Sequence, residues 1–442
     1  MKNLVISLVL LFWVALRGIA AEPPADASYY WPQWRGPQAT GVAPHASPPL
    51  EWSESRNIRW KLKISGEGSS SPVIWEDQVF ILTAVPTGEV VQPVETSQES
   101  RRGRGTATPT QVQKFAILAI NRQDGKILWE EILREELPHE SKHATGSWAS
   151  NSPVTDGEHV FAFFGSRGLY GFDMEGNPLW DKDLGDMAIR RGFGEGASPV
   201  LHGDKIIVLW DHQGQSFIVA LDKKTGREIW RTDRDEITSW TTPIVVKNAG
   251  REQIITVATN RVRSYDLESG QLVWESDGMT LNTIPSPVAA EGMVFATSGY
   301  QGNSLLAIRL ADARGDITDS SAIVWKHDRD TPYVPSPLLY RDTLYFMKRN
   351  SGVISSFNAK AGTENYKMRL RDIPNVYASP VAADDRIYVA GREGTTVVLE
   401  HGPQFKILAV NSLEDGFDAS PALVDGEIYL RGHQNLYCIS AD

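Results

Sequence analysis

One tripeptide pattern recurs eight times along this chain: Ser71-Pro72-Val73, Ser152-Pro153-Val154, Ser198-Pro199-Val200, Thr242-Pro243-Ile244, Ser286-Pro287-Val288, Ser336-Pro337-Leu338, Ser379-Pro380-Val381 and Ser420-Pro421-Ala422. From Pro153 to Pro421 the prolines stand 46, 44, 44, 50, 43 and 41 residues apart; the first interval, from Pro72, is 81. Between them run short β-branched segments broken by Gly and Asp turns, with no helical patterning. Residues 198–230 show it: turns at His202-Gly203-Asp204, His212-Gln213-Gly214 and Thr225-Gly226 divide four strands. A period of this length built from strands marks an all-β, eight-bladed β-propeller, four strands per blade. Each Pro opens strand A, where its missing N–H costs no ladder bond. The long first interval reads as an insertion in blade one, residues 86–113, a flexible solvated loop that carries Arg101, Arg102 and Arg104.

The last two strands of a repeat carry a second signal, Ala220-Leu-Asp222-Lys-Lys-Thr225-Gly226-Arg-Glu-Ile-Trp230, with variants ending at Trp129, Trp180 and Trp274. Blade five reaches Trp325 after an insertion at 311–321, and blades six and seven place Tyr366 and Ile407 near the Trp position. Gly supplies the tight C–D turn, and Trp on strand D fills the wedge between blades. Blade eight ends after three strands at Tyr437-Cys438-Ile439; its fourth is expected from the N-terminal segment Asn57–Lys63, which removes the free edges. The propeller proper is therefore expected over residues 57–440, with a lead-in at 22–56.

These motifs resemble the tryptophan-docking repeats of the PQQ-type eight-bladed propellers, over roughly residues 31–440. The lead-in segment Trp31-Pro-Gln-Trp34-Arg35-Gly36-Pro37 is similar to that of secreted bacterial PQQ-repeat proteins. The resemblance implies one of two functions. Quinoprotein alcohol dehydrogenases hold PQQ and calcium at the channel mouth, whereas BamB-type lipoproteins are non-catalytic scaffolds. A fold so widely reused does not choose between them.

The N-terminus suggests a compartment. Lys2, the 13-residue apolar run Leu4–Leu16 and the small residues Ala20-Ala21 read as a signal peptide over 1–21, since a spanning helix needs about 20 apolar residues. No cysteine follows the run, so the expectation is an exported, periplasmic or extracellular, soluble monomer without a lipid anchor. The whole chain carries 44 basic against 55 acidic residues, a net charge of -11. That balance gives no general pull toward nucleic acid or anionic lipid. The single cysteine, Cys438, excludes an internal disulfide and a cysteine-only zinc site.

Candidate site residues gather on the face formed by the loops entering strand A and the B–C loops. The loops entering strand A bring Trp148, Arg190, Arg191, Glu195 and Trp240, then Tyr333, Tyr377 and Asp418; the B–C loops add Arg261 and Arg392. The A–B turns of the opposite face are acidic, as at Glu76-Asp77 and Asp384-Asp385. Arginines among aromatic rings suit planar anions, carboxylates or an acidic partner chain. The reading is thus a non-catalytic propeller that recognises a partner protein, a polysaccharide or a small anion, with no cofactor. Under the dehydrogenase alternative, PQQ would stack on Trp148 or Trp240, calcium would take Glu195, Asn282 and Asp418, and Asp418 would be the base. Against it, such enzymes carry a vicinal cysteine pair that one cysteine cannot make. The segment His139-Glu140-Ser141-Lys142-His143 spells a zinc-protease motif, but Pro138 and Gly146 leave room for two helical turns at most and no third ligand follows, so it reads as chance.

Overall fold

The computed structural model describes residues 26–91, 106–107 and 109–441. The expected signal peptide and Arg101, Arg102 and Arg104 lie outside the described residues. The chain forms eight antiparallel blades, seven of four strands and one, blade four, of five. Blade three is typical, with strands A to D at Val200–His202, Lys205–Trp210, Ser216–Asp222 and Glu228–Arg234. Among the described residues the helical turns are short 3₁₀ segments. Closure follows the expected route: Ile58–Lys63 pairs with Asn435–Ser440, in a register of Trp60 opposite Cys438 and Lys63 opposite Asn435.

The repeated Ser/Thr-Pro step does more than begin strand A. The Ser71 backbone N–H donates to Ser152 Oγ at 3.0 Å, and Ser152 N–H to Ser198 Oγ at 2.9 Å. The relay continues through Thr242 (3.0 Å), Ser286 (2.8 Å), Ser336 (2.9 Å), Ser379 (2.9 Å) and Ser420 (3.0 Å). Ser420 N–H then returns to Ser71 Oγ at 3.0 Å. Each blade is stitched to the next by the same buried hydrogen bond, worth about 1 kcal/mol net. The hydroxyl is the acceptor, which is why only Ser or Thr precedes the proline.

At the outer end of the wedge the tryptophans dock as their spacing predicts. The indole N–H groups of Trp60, Trp129, Trp180, Trp230 and Trp325 donate to the carbonyls of Arg122, Met174, Lys223, Leu267 and Ala359 in the following blade, at 2.9–3.0 Å. Each ring lies on the glycine of that blade's C–D turn. Gly226 (φ +66°) is one: a Cβ there would come within 2.6 Å of the Trp180 ring. Gly226→Ala is therefore expected to cost about 1–3 kcal/mol beyond Gly203→Ala, since overpacking adds to the backbone strain. Gly203 has a similar φ (+60°) but open space around its Cβ position. Equal urea midpoints for the two variants would show that the ring does not need this close approach.

Three blades depart from the pattern. Trp274 of blade four is fully buried, yet its Nε1 has no partner. The insertion of blade five replaces the expected turn, burying the indole among Leu310, Ala313, Ile317 and Ala322. The same insertion lays Gly315–Asp316 parallel to Trp274 and Glu275 as the fifth strand. Tyr366 takes the Trp position of blade six, opposite Ser356. In blade seven the residue at that position is Ala409, opposite Val398, and not Ile407, two residues earlier: the C–D turn is longer here, with Glu400 N–H bonded to Lys406 O where blade three bonds Asp222 N–H to Arg227 O. In blade one, strands Gln78–Val90 and Gln111–Asn121 run into the segment expected as a loop and pair Pro86 with Gln113 and Val90 with Gln111.

Candidate functional site

The lead-in segment lies across one end of the central channel. Trp31 exchanges two backbone hydrogen bonds with Ile74 of blade one (3.0 and 2.9 Å), and Pro32 O accepts from Thr155 N–H of blade two at 2.9 Å. Farther on, Ala43 N–H donates to Ala382 O of blade seven (2.9 Å) and Ser47 N–H to Asp425 O of blade eight (2.6 Å). Between them Arg35, 2% exposed, donates to Pro337 O and Pro380 O at 2.6 Å each and to Thr40 O at 3.0 Å. Among the described residues no carboxylate faces this guanidinium, and burial pulls its pKa down to about 9. The plug is thereby tied to blades on both sides of the channel.

What remains open is a pocket of about 610 Å³ with Trp34 of the plug among its lining. Its walls carry Phe193, Trp240, Tyr300, Tyr333 and Tyr377. Several rings are held in place. Trp240 Nε1–H donates to Gly194 O at 2.7 Å, and Tyr300 and Tyr333 stack with centroids 4.8 Å apart. The Arg392 guanidinium covers Tyr377 at 4.1 Å, and the Tyr377 hydroxyl lies 3.3 Å from Thr145 Oγ1. Below them the Ser/Thr ring contributes Ser71, Ser198, Thr242, Ser336, Ser379 and Ser420.

The structure brings Arg191, Glu195, Trp240, Tyr333, Tyr377 and Asp418 together around this pocket, while Trp148, Arg190, Arg261 and Arg392 fall outside its lining. Trp148 closes a small crevice beside Glu140, with Lys142 Nζ 5.0 Å from its ring. Arg261 pairs with Asp277 (3.2 Å) and Asp316 (3.7 Å), and the backbone N–H of Arg190 donates to Thr238 Oγ1 at 3.0 Å. Arg392 forks onto Asp418: Nε donates to Oδ1 and Nη2 to Oδ2 at 3.0 Å. His433 Nε2 adds a third donor to Asp418 at 3.0 Å. Burial alone would push Asp418 up, but His433 and Arg392 outweigh it and hold the carboxyl below its usual range. Glu195 is spent too, accepting from Ser166 N–H (2.7 Å) and Ser166 Oγ–H (2.5 Å). Asn282 is 3% exposed, does not line the pocket and leaves its Oδ1 without a partner. Trp34, Phe193, Tyr300 and His143 also line the pocket: Tyr300 stands on a B–C loop of the face that the sequence points to, residue type singles out neither Phe193 nor His143, and only the Trp-rich lead-in motif points toward Trp34.

The His139–His143 segment is not helical, and Lys142–His143 forms a two-residue strand paired with Thr106–Ala107. His139, Glu140 and Glu195 do converge, with ligand atoms within 4.8 Å of one another. Both His139 nitrogens are occupied, however: Nε2 contacts Met187 O and Nδ1 accepts from Arg167 Nη1, at 2.7 Å each. Burial raises Glu140 to about 8; the Ile189 N–H opposes the shift, Glu195 and Asp186 add to it, and Arg167 reduces it. In the unfolded chain the same group ionises near 4.5. Between those pH values the unfolded chain sheds a proton that the folded one keeps, so stability falls as pH rises through the window. Glu140→Gln removes the titration. It is expected to melt higher than the parent at about pH 8 and level with it at about pH 4.5; a constant offset would show that Glu140 does not govern this slope.

An eight-bladed propeller with tryptophan-docked blades and a channel plugged at one end is the class of protein these features define. The family described as outer membrane protein assembly factor BamB matches residues 51–209 and 214–442, and the chain belongs to it. The chain is 24% identical over 267 residues to BamB of Yersinia pestis, covering 57% of this chain and 61% of that protein. It is 29% identical over 107 residues to BamB of Francisella salina, 24% of this chain and 18% of that protein. The alignments therefore span less than two thirds of either relative. In fold it is similar to the crystal structure of BamB from Moraxella catarrhalis (TM-score 0.54, 14% identity, 81% of this chain and 99% of that one). The computationally designed Ika8 protein aligns at the same TM-score, 0.54, with 10% identity, over 89% of this chain and 100% of that one. Among the described residues no helix is long and apolar enough to cross a membrane.

Proposed function

We propose that this protein is a non-catalytic, exported scaffold that holds a partner protein on the face carrying the pocket mouth, in the manner of the outer membrane assembly factors it resembles. The observation that carries the reading is the state of the carboxylates. Asp418, the one nominee for a base, is held by the Arg392 guanidinium and by a hydrogen bond from His433, and Glu195 is consumed by Ser166. A general base must be free to take a proton from a bound substrate. The residues also fail to fit a PQQ–calcium centre: Glu195 and Asp418 have their oxygens engaged, and Asn282 lies outside the pocket lining.

The test is photo-crosslinking from single positions in intact cells. A benzophenone side chain at Arg191 or Tyr300, at the mouth, is expected to give discrete protein adducts. The same group at Glu158 or Glu291, on the opposite face, is expected to give none. Adducts of equal yield from both faces, or none from the mouth, would retire the reading.

A further inference from the structure

The pocket has a chemistry of its own that a protein-docking face does not require. Ten of its lining residues are Ser or Thr, set beneath six aromatic rings. In the strand-A ring each hydroxyl oxygen already accepts a backbone N–H from the neighbouring blade. A hydroxyl has one hydrogen to give as well. None of these eight hydroxyls donates to a protein acceptor among the described residues, so those that line the pocket have O–H donors to offer a ligand. His143 adds another donor: its Nδ1 accepts from Thr145 N–H at 3.2 Å, which leaves the proton on Nε2. Burial, with Arg392 and Lys142 nearby, lowers the pKa of this ring and favours its neutral form.

The charges narrow the ligand further. Both carboxylates of the lining are occupied, as described above. Arg191 is exposed and lines the pocket, and among the described residues it has no hydrogen-bond or ion-pair partner. Its backbone is in the left-handed region (φ +56°), beside Gly192 (φ +62°). A pocket that is rich in donors, poor in free acceptors and aromatic on its walls, with one unpaired guanidinium, calls for a compact ring. That ring must present an apolar face to the aromatics, several acceptor oxygens to the hydroxyls and one anion to Arg191. The volume is in the range that encloses a small-molecule ligand. A flat aromatic acid would meet the aromatics and Arg191 but leave most of the hydroxyls unanswered. An extended polypeptide would be stopped by the plug.

From this we infer that the plugged channel binds an acidic sugar, a pyranose ring bearing a single carboxylate, with Arg191 taking the carboxylate and the stacked Tyr300–Tyr333 pair taking the ring face. The inference stands apart from the partner-protein reading, because crosslinking at the mouth and sugar binding inside the pocket are measured separately.

The experiment is a calorimetric titration of the purified protein with methyl β-D-glucuronide and methyl β-D-glucoside, which differ only in carboxylate against hydroxymethyl, and with benzoate. The glucuronide is expected to bind at least about tenfold more tightly than the glucoside, and more tightly than benzoate. Arg191→Gln, at an exposed position, is expected to erase the preference between the glycosides. Tyr300→Ala is expected to weaken both alike. Absence of glucuronide binding at millimolar concentration overturns the proposal. So does equal affinity for the two glycosides, tighter binding of benzoate, or a preference that survives Arg191→Gln.

Discussion

Trp60→Ala is expected to lower the stability of this protein by about 3–5 kcal/mol, the cost typical of deleting a buried tryptophan. The position matters more than the residue type. Trp60 lies on the only strand of blade eight that comes from the far end of the sequence. Its indole spans from that strand to blade one: Nε1–H donates to Arg122 O at 2.9 Å, and the ring covers Gly125 and lies 6.0 Å from Tyr429. Arg122 in turn is fixed by Glu427 (2.7 Å) and Asp425 (2.5 Å) of blade eight, so the loss touches both sides of the closing joint. Equilibrium urea unfolding with an unchanged m-value would measure it. A cost below about 1 kcal/mol would mean that the β-ladder alone holds the ring shut.

Arg35→Ala is the second large effect. The substitution leaves the carbonyls of Pro337, Pro380 and Thr40 buried without that donor, each costing about 1–3 kcal/mol, partly offset because a buried cation is no longer desolvated. A net loss of about 3 kcal/mol is expected. Arg35→Lys should recover little of it, because one ammonium cannot fork to carbonyls on two blades as a guanidinium does. A functional readout accompanies the stability change. With the plug released, limited proteolysis within residues 26–56 should accelerate well before the blades unfold. Unchanged cleavage at equal stability would show that the backbone bonds of Trp31 and Ala43 hold the plug without Arg35.

These two residues also mark where reading the sequence succeeds and where it stops. The eight Ser/Thr-Pro steps, the Gly–Trp spacing and the displaced closing strand are local patterns repeated in register, so the blade count and the route of closure are legible in the residues themselves. The hydroxyl of each repeated serine is equally visible, but its acceptor role is not, because its donor lies a whole repeat away. Arg35 is more remote still, with partners 302 and 345 residues along the chain. Ile407 falls two residues short of the true Trp-equivalent position in a blade whose C–D turn is longer than that of blade three, a length that composition does not reveal. At the mouth, residue type identifies arginines and aromatics but not which arginines are free. Arg261 and Arg392 find aspartates, while Arg191 does not.

The hydroxyl relay between blades carries a consequence for how such a molecule changes size. Each repeat brings one donor and one acceptor, and the bond between blades eight and one is the same as every other. A set of repeats therefore supplies equal numbers of both, whatever their count. Duplicating one unit of 41–50 residues, or deleting one, would leave no inner joint orphaned. The stitching is indifferent to number, and so is the closing strand, whose Trp60 docks as the other tryptophans do; the part that is not interchangeable is the plug, which bonds to blades one, two, six, seven and eight at once and must fit a ring of one circumference. The blade count of this protein is thus guarded near its N-terminal end, by a segment that belongs to no repeat.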